Sequence, residues 1–485
     1  MARSPDPRDA PNEDVPPAMM EFVRSFRFKS EWSASAKAVV GETQITGPLG
    51  SAYMVLDSAL RNALAKLISC EVTQEELISQ LPRTAIASHL SRLQSLLGIL
   101  FATGTISERM YWGKTYLGEF EATSKWCTIC PAFRTRASQL HLSRFAIFRR
   151  EQNGSFLLES PRALGRLILP EKDLPKIIAA ITAPRSTMQT RLFRQYLYER
   201  DFLVNSFEND EEVAPLKYWE PHDLNFHAAS RDGRHGGRSG GTYRFATTDP
   251  PPPATFTVQG LAAIDLSAMI PLHEPSENKT FGDVIDLRRS TRKYSKAPIT
   301  NIELAHFLRQ TNGVRKTLRG IKVPTGSGDV EMDFNLRSHP SGGALYETNL
   351  FVVVNRCEGI AQGLYFYDGL THRLLLLRKW DDACETLVRK AEWAAQVSQG
   401  NVQVLIILAA HFQRMQWKYE RACYAAMLKN AGAIIAYMYL IAADMNLACC
   451  ANGQGDSDLF EAATGIDYFE CGSIAEFILG KAEST

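Results

Sequence analysis

The sequence has almost no net charge, because 54 Lys and Arg residues are balanced by 53 Asp and Glu residues among 485 positions. This balance excludes a global field that would recruit nucleic acid or an anionic membrane. The N-terminal segment lacks the apolar core of a secretory signal, and no uninterrupted apolar run reaches the roughly 18 residues of a membrane span. The longest apolar stretch, residues 431–450, contains Asp444 and Asn446 and predicts a buried core helix. We therefore expect a cytoplasmic protein whose anion sites are local, with no nucleic acid and no membrane as partner.

Nucleotide and metal motifs are also missing. The sequence contains neither a G-x-G-x-x-G fingerprint nor a Walker motif, which gives dinucleotide and P-loop readings little support. Its one Cys-x-x-Cys, formed by Cys127 and Cys130, has no second pair at zinc-ligand spacing. No metal site is expected, and the nine cysteines are interpreted as reduced thiols. An apolar fraction of 45% nevertheless predicts folded domains with sizeable cores.

The first half predicts two small modules with helices and hairpins. Residues 51–106 read as three helices and a hairpin, with a capping-box spacing at Thr73 and Glu76. The third helix is marked by an apolar stripe at Ile86, Leu90, Leu93 and Leu97. Gly98 is expected to end this helix. A second module is indicated by the hairpin signal Asn153-Gly154, followed by helical patterns. Both resemble winged-helix units.

These modules are not expected to bind DNA. Phosphate binding needs several basic side chains on one face, and the third helix offers only His89 and Arg92. Two interpretations stay open, a packing domain or a peptide-docking domain that uses a strand edge or helix groove.

Composition changes sharply between the modules and the C-terminal region. A segment rich in Gly, Arg and Ser, ending in four prolines, predicts an extended linker. Beyond it, strands and helices mix without strict βαβ alternation, which predicts an α+β fold with a long central helix from about Trp417 to Leu447. The predicted organisation is a tail at 1–17, winged-helix-like units at 18–130 and 131–215, a linker at 216–257 and an α+β domain at 258–485.

Four short motifs in the C-terminal region can carry chemistry. A guanidinium-rich turn offers forked donors that match phosphate oxygens, at Arg288, Arg289, Ser290 and Arg292. A glycine turn lets backbone amides approach a flat ligand, at Pro340, Ser341, Gly342 and Gly343. Lys418 and Tyr419 form an adjacent pair that can share proton transfer. Asn452 and Gly453 open a second tight segment, which is equally typical of an ordinary turn after a helix.

The order of these motifs, "RRSTR", "PSGGALY", "WKY" and then "NGQGD", resembles the FMN-dependent nitroreductase superfamily. More narrowly, it resembles the SagB-type, McbC-like dehydrogenases of azole-containing peptide biosynthesis. The resemblance covers residues 258–485. Upstream, "LSRFAIFRR" and "FHAASRDG" are similar to the N-terminal halves of cyanobactin oxidases, in which winged-helix-like units grip a leader peptide.

The resemblance implies a role for each motif. The guanidinium-rich turn would hold the FMN phosphate and ribitol, the glycine turn would run along the isoalloxazine, and Asn452 and Gly453 would approach it from the other side. Lys418 and Tyr419 would be the catalytic pair, followed by Arg421 and Tyr424 as the family's "R-x-x-Y". The sequence departs from the family where Glu347 replaces a proline, and where a His, Gln and Asn pattern is replaced by Ala433, Ala436 and Tyr437.

The implied activity is FMN-dependent oxidation of thiazoline or oxazoline rings to thiazole or oxazole in a ribosomally made peptide. The implied partners are a precursor peptide, a second copy of the chain in a homodimer and a cyclodehydratase. Two alternatives stay open. One is an NAD(P)H-dependent, nitroreductase-like flavoenzyme acting on a small molecule, and the other is a flavin-free scaffold for precursor peptides, motivated by the altered helix positions.

Overall fold

The computed structural model describes residues 22–29, 38–39, 42–47, 49–84, 86–129, 139–183, 190–205, 210–231, 240–269 and 279–483. The chain forms two compact units, residues 1–237 and 238–485. The predicted tail at 1–17 and Cys130 lie outside the described residues.

The helices of the first unit are α1 (Ser58–Ser69), α2 (Gln74–Ile78), α3 (Ile86–Ala102), α4 (Leu174–Thr182), α5 (Arg191–Glu199) and α6 (Pro221–Ala229). Its strands are β1 (Phe22–Phe28), β2 (Ala38–Val39), β3 (Glu42–Gly47), β4 (Gly50–Met54), β5 (Val72–Thr73), β6 (Ile106–Trp112), β7 (Thr115–Ala122), β8 (Leu140–Leu142), β9 (Ile147–Arg150), β10 (Phe156–Glu159), β11 (Gly165–Leu169) and β12 (Leu203–Asn205).

One seven-stranded sheet, in the order β5-β1-β6-β7-β11-β10-β9, joins the two halves of the first unit. The junction is an antiparallel pairing of β7 with β11, in which Ala122 faces Gly165. The predicted modules at 18–130 and 131–215 therefore share one sheet and one hydrophobic core. The local patterns that suggested two modules could not show that their strands pair, and the winged-helix assignment stays a prediction.

Several local expectations for this unit are met. Thr73 and Glu76 form the capping box of α2, and β9 pairs with β10 across the Asn153-Gly154 turn. The prediction that Gly98 ends the third helix was wrong, because α3 continues to Ala102. Its continuation buries Leu100 and Phe101, and the burial of two large side chains outweighs the roughly 1 kcal/mol cost of an internal glycine.

The helices of the second unit are α7 (Phe281–Leu287), α8 (Asn301–Asn312), α9 (Asp382–Ala395), α10 (Phe412–Gln416), α11 (Cys423–Asp444) and α12 (Ser457–Thr464). Its strands are β13 (Gly240–Gly241), β14 (Ala262–Asp265), β15 (Ile299–Thr300), β16 (Lys316–Thr325), β17 (Gly328–Leu336), β18 (Thr348–Val354), β19 (Cys357–Glu358), β20 (Gly363–Asp368), β21 (Arg373–Lys379), β22 (Val404–His411), β23 (Tyr419–Glu420), β24 (Leu447–Asn452) and β25 (Cys471–Lys481).

The second unit is built on a seven-stranded sheet in the order β14-β21-β20-β18-β22-β25-β24. Successive residues of a strand point to opposite faces, so Leu350 and Val352 of β18 pack in one core with α8 and α11. Phe351 and Val353 pack in the other core with α9 and α12. Helices cover both faces of the sheet, and the predicted α+β class is confirmed.

Helix α11 is the only helix in the described part of the chain that is long and apolar enough to cross a membrane, with a mean hydropathy of 1.4. Its inner face nevertheless lies in the core on the sheet, through Ala431, Ile434, Met438 and Ala442. The helix thus has the core position expected for the 431–450 stretch.

The long central helix begins later than predicted. It starts at Cys423 and not near Trp417, because β23 pairs with β13 and interrupts the helical run between α10 and α11. The predicted linker at 216–257 is divided between the units. Helix α6 belongs to the first unit, and residues 240–257 belong to the second.

Candidate active site

Helix α11 connects two groups of the predicted residues. Its Asn430 contacts the glycine turn, and its Tyr439 contacts the guanidinium-rich turn. Nine residues separate these two positions, which corresponds to about 13 Å along a helix that rises 1.5 Å per residue. The two turns are therefore held at a fixed spacing by one rigid element.

The guanidinium-rich turn follows directly on α7. The amide of Thr291 donates to the carbonyl of Cys449 at 2.7 Å, which fastens the turn to β24. Ser290 Oγ lies 2.8 Å from the Tyr439 hydroxyl, and that hydroxyl also accepts from the Ala451 amide at 2.8 Å. The Arg288 guanidinium lies over the Tyr439 ring, 5.5 Å from its centroid. Tyr439, which sequence analysis missed, thus ties the turn to both α11 and β24.

A cavity of about 580 Å³ opens beside this turn. Arg292 is oriented by a hydrogen bond from its Nε to the carbonyl of Ala395 at 2.7 Å. Besides Glu483, Asn446 and apolar residues, the cavity is lined by cationic and hydroxyl-bearing side chains, Arg289, Ser290, Thr291, Arg292, Lys293 and Tyr439. Such a donor set is suited to an anion with several oxygens, above all a phosphate.

The glycine turn is fastened by side chains. Asn430 Oδ1 accepts from the Gly342 amide at 3.1 Å, and Ser341 Oγ accepts from the Tyr346 amide at 3.0 Å. Gly343 has φ +62°, in the left-handed region that favours glycine. A Cβ at Gly343 would lie 2.5 Å from both Lys418 Nζ and Tyr419 Oη. Only glycine lets the turn approach the pair this closely, and the structure brings the second and third predicted motifs together.

Glu347 is part of the same network. Only 2% of it is exposed, and burial raises the pKa of its carboxyl. It accepts hydrogen bonds from Asn430 Nδ2 at 2.9 Å and from Ser341 Oγ at 3.3 Å. The carboxyl that replaces the family's proline therefore links the glycine turn to α11. This contact explains how a buried acid is tolerated here, since buried polar groups need hydrogen-bond partners.

Lys418 and Tyr419 lie between α10 and α11. The strand pairing of Tyr419 with Gly241 sets the backbone of the pair. Lys418 Nζ lies 5.4 Å from the centroid of the Tyr419 ring and 5.5 Å from that of Tyr243. Both predicted residues are half-buried. An ammonium and a phenol adjacent to one glycine turn can act together in proton transfer.

Asn452 ends β24 and is buried. Its Nδ2 donates to Glu476 Oε2 at 2.7 Å, and its Oδ1 accepts from the Gln454 amide at 3.0 Å. A Cβ at Gly453 would meet no heavy atom within 4 Å, whereas one at Gly455 would lie 3.1 Å from Glu476 Oε1. In this segment it is therefore the Gly455 backbone, and not that of Gly453, that lies close to another part of the protein. No contact between this segment and the glycine turn is seen among the described residues, although β24 leads into it from the guanidinium-rich turn.

The other residues that the family resemblance singled out, Arg421, Tyr424 and Tyr437, show no hydrogen bond or ring contact with the glycine turn in the part of the chain that the structure describes. Tyr424 is 46% exposed, and Arg421 has a left-handed backbone with φ +59°. Among the departures, Tyr437 meets His339 edge-on, with ring centroids 6.3 Å apart. Burial lowers the pKa of His339 to about 4, so this imidazole beside the glycine turn is neutral at physiological pH.

Glu476→Gln is expected to stabilise the protein at alkaline pH. Burial raises the pKa of Glu476 to about 7, from an ordinary value of 4.5. Its contribution to stability is therefore fully present below pH 4.5 and is lost as the pH rises through about 7. A shift of this size corresponds to about 3 kcal/mol at most. Glutamine keeps an acceptor for Asn452 without the buried charge.

Chemical unfolding at pH 5 and pH 8 measures this effect. The variant should be more stable than the natural chain at pH 8, by about 1–3 kcal/mol, and the difference should shrink at pH 5. Glu385→Gln is the matched control, because Glu385 is 53% exposed on α9. An equal difference at both pH values would contradict the prediction.

Comparison with known proteins supports the same division of the chain. Residues 285–478 match the nitroreductase family model. The second unit contains a nitroreductase-family domain. Residues 140–236, in the first unit, match the model of the cyanobactin oxidase ThcOx. The predicted resemblance to oxidases of the nitroreductase superfamily is confirmed by these two matches, which support an oxidoreductase.

Individual relatives are distant. A putative nitroreductase of Methanocaldococcus jannaschii is 25% identical over 171 residues, which is 35% of this chain and 77% of the relative. A putative nitroreductase structure from Ralstonia eutropha is 19% identical and covers 51% of this chain and 100% of its own, with a TM-score of 0.34. A chain of the Escherichia coli microcin synthetase McbBCD complex with truncated pro-MccB17 bound is 15% identical. The match covers 57% of this chain and 100% of that one, with a TM-score of 0.32.

Proposed function

We propose that the protein is an FMN-dependent oxidase that converts thiazoline or oxazoline rings of a ribosomally made peptide to thiazole or oxazole. The observation that carries this proposal is the close approach of Lys418 Nζ and Tyr419 Oη to Gly343, where a Cβ would lie 2.5 Å from both atoms. A turn suited to a flat ring system and a pair suited to proton transfer are adjacent, as the chemistry requires. The match of residues 140–236 to a cyanobactin oxidase supports the choice of substrate class.

The residues of the chain fit the cofactor. Arg289, Ser290 and Arg292, which line the 580 Å³ cavity, would hold the phosphate together with Arg288, whose guanidinium lies over the Tyr439 ring. Pro340–Gly343 would lie along the ring. Asn452 and Gly453 would contact it from the other side. Bound FMN supplies the acceptor for the hydride equivalent lost by the azoline. Lys418 as a neutral amine, or Tyr419 as a phenolate, would take the proton from the neighbouring ring carbon, so that loss of a proton and a hydride leaves the aromatic azole.

The proposed partner of the first unit is the leader segment of the precursor peptide. A small diffusible substrate would not require a second unit with a sheet and core of its own. We also propose that the chain works in the cytoplasm, beside the cyclodehydratase that forms the azoline. The described cysteines are free thiols, which is consistent with a reducing compartment.

A homodimer is proposed from the outer surface of the second unit. Phe281 and Ile285 of α7 are 70% and 49% exposed, and Tyr424 and Leu428 of α11 are 46% and 39% exposed. Helices α7 and α11 contact each other. Exposed apolar side chains are typical of surfaces that are covered by another protein, and a second copy of the chain is the proposed occupant.

Mass spectrometry of an azoline peptide tests the proposed activity. The full-length protein with FMN should remove two hydrogens per ring from a peptide that carries its leader. Removal of the leader should raise KM at least tenfold with a smaller change in kcat, because leader contacts add binding energy remote from the ring. Free leader peptide should inhibit competitively. Absence of any mass change with FMN bound would refute the proposal.

A second candidate is a nitroreductase-like flavoenzyme that oxidises NAD(P)H and reduces a small molecule. The Methanocaldococcus jannaschii relative, a putative nitroreductase, favours it. Rapid NAD(P)H oxidation with a nitroaromatic acceptor and no peptide would support this candidate. A protein that binds leader peptide but no flavin would instead support the scaffold alternative.

A further inference from the structure

We infer that residues 240–257, here called the strap, complete the catalytic pair, and that Tyr243 is a positioning residue for the Lys418 ammonium. This inference rests on the proposed function only for the role of Lys418 in proton transfer. The placement of Tyr243 against Lys418 is independent of the reaction.

The strap is fastened along the segment that carries the pair. Its Gly240 and Gly241 pair with Glu420 and Tyr419, and Thr242 Oγ1 donates to Glu420 Oε2 at 3.1 Å. Further along, the carbonyl of Asp249 accepts from Trp417 Nε1 at 3.0 Å. The carbonyl of Pro252 accepts from the buried Arg414, and the Phe256 ring lies 5.0 Å from that of His411. These anchors extend from His411 to Glu420, so the strap follows the whole approach to the pair.

Tyr243 contacts both ends of Lys418. Its amide donates to the Lys418 carbonyl at 3.1 Å, and its ring centroid lies 5.5 Å from Lys418 Nζ. The backbone of Tyr243 has φ +50°, a conformation that residues other than glycine rarely adopt. The ring is held from behind by Trp417, which it meets edge-on at 5.8 Å. A strained backbone fixed by several contacts is typical of functional sites.

The side-chain nitrogen of Lys418 is consequently enclosed on three sides. The Tyr243 and Tyr419 rings enclose it on two sides, and the Gly343 backbone lies on the third side. Aromatic rings attract an ammonium through their quadrupole, so they stabilise the positive charge that Lys418 gains when it takes a proton. They also restrict the rotamers of a long, flexible side chain, which reduces the entropy lost when it must occupy one position for reaction. Loss of the Tyr243 ring should therefore slow turnover more than it weakens substrate binding.

Three substitutions at Tyr243 in the full-length, FMN-loaded protein separate these effects. Tyr243→Ala removes the ring, Tyr243→Leu keeps apolar bulk against Trp417 without a π face, and Tyr243→Phe keeps the ring. With an azoline peptide, the Ala and Leu variants should lower kcat about three- to thirty-fold, the factor equivalent to a cation–π contact. KM should change less than about twofold, and Tyr243→Phe should restore turnover. The Leu variant provides the answer if the Ala variant does not fold.

A double-substitution cycle tests whether Tyr243 acts through Lys418. In a Lys418→Ala background, Tyr243→Leu should cost less than about twofold, because the group it positions is already gone. Full additivity of the two effects would overturn the inference. Wild-type kcat in both Tyr243→Ala and Tyr243→Leu would overturn it equally.

Reductive methylation followed by mass spectrometry gives a readout that does not depend on activity. Lys418 should be methylated several-fold faster in Tyr243→Leu than in Tyr243→Phe or the natural chain. Lys429, exposed on α11, is the internal reference and should be unchanged. Unchanged methylation of Lys418 would refute the placement of Tyr243. If the natural chain oxidises no azoline, the proposed function fails, while the methylation result still decides the position of Tyr243.

Discussion

Lys418→Ala combined with Tyr419→Phe is expected to slow azoline oxidation by about a hundred- to ten-thousand-fold, the range that a positioned general base contributes. The reason is geometric. Lys418 Nζ and Tyr419 Oη are the two titratable atoms that lie closest to the Cβ position of Gly343, and the glycine turn is the proposed seat of the flavin ring. Loss of both groups leaves the ring proton without an acceptor in the protein.

Flavin retention is the control that distinguishes lost chemistry from a lost site. The double variant should keep its visible flavin spectrum, because neither side chain belongs to the guanidinium-rich turn, which is fastened to β24 and to Tyr439 of α11. Lys429→Ala removes an exposed lysine of α11 and should turn over normally. Single substitutions then identify the base, since the residue that takes the proton should account for most of the loss. Normal turnover by the double variant would remove the role assigned to the pair.

The parts of the fold that follow from local chemistry could be predicted from the sequence. The apolar runs of β18 and β22 are long and β-branched, and the capping boxes at Thr73 and Thr300 mark helix starts. The candidate site motifs could be recognised because the residues of each motif are close in sequence. The nitroreductase-like fold of the second unit was accordingly predicted, and the family match confirms it.

The features of the site that the sequence did not predict depend on contacts between distant segments. Tyr243 precedes Lys418 by 175 positions, in a stretch whose Gly, Ser and Pro content is typical of linkers. The pairing of Gly240 and Gly241 with β23 also makes α11 start at Cys423 and not near Trp417. Tyr439 and Asn430 looked like ordinary positions of an apolar helix. A spacing of nine residues is about 2.5 turns of a helix with 3.6 residues per turn, so the two side chains leave α11 on opposite sides. No shared helix face in the sequence therefore indicated that they hold the two turns.

Arg288→Ala combined with Arg292→Ala is expected to weaken FMN binding by about a hundred- to ten-thousand-fold. Each charged hydrogen bond to a phosphate contributes about 1.5–3 kcal/mol, and every 1.4 kcal/mol is tenfold in Kd. The turn is already organised in the protein. Arg292 is oriented by the Ala395 carbonyl, and Arg288 lies over Tyr439. Little side-chain entropy therefore remains to be lost on binding, which favours the upper part of the range.

Titration of the unfolded-and-refolded or dialysed protein with FMN, followed by flavin fluorescence, measures this effect. Arg389→Ala is the matched control, because Arg389 is an exposed arginine of α9 that does not line the 580 Å³ cavity. Added salt should weaken FMN binding to the natural chain more than to the double variant, since screening acts on the charged contacts that the variant lacks. An unchanged Kd would mean that the phosphate lies elsewhere. In that case the guanidinium-rich turn would lose its assigned ligand.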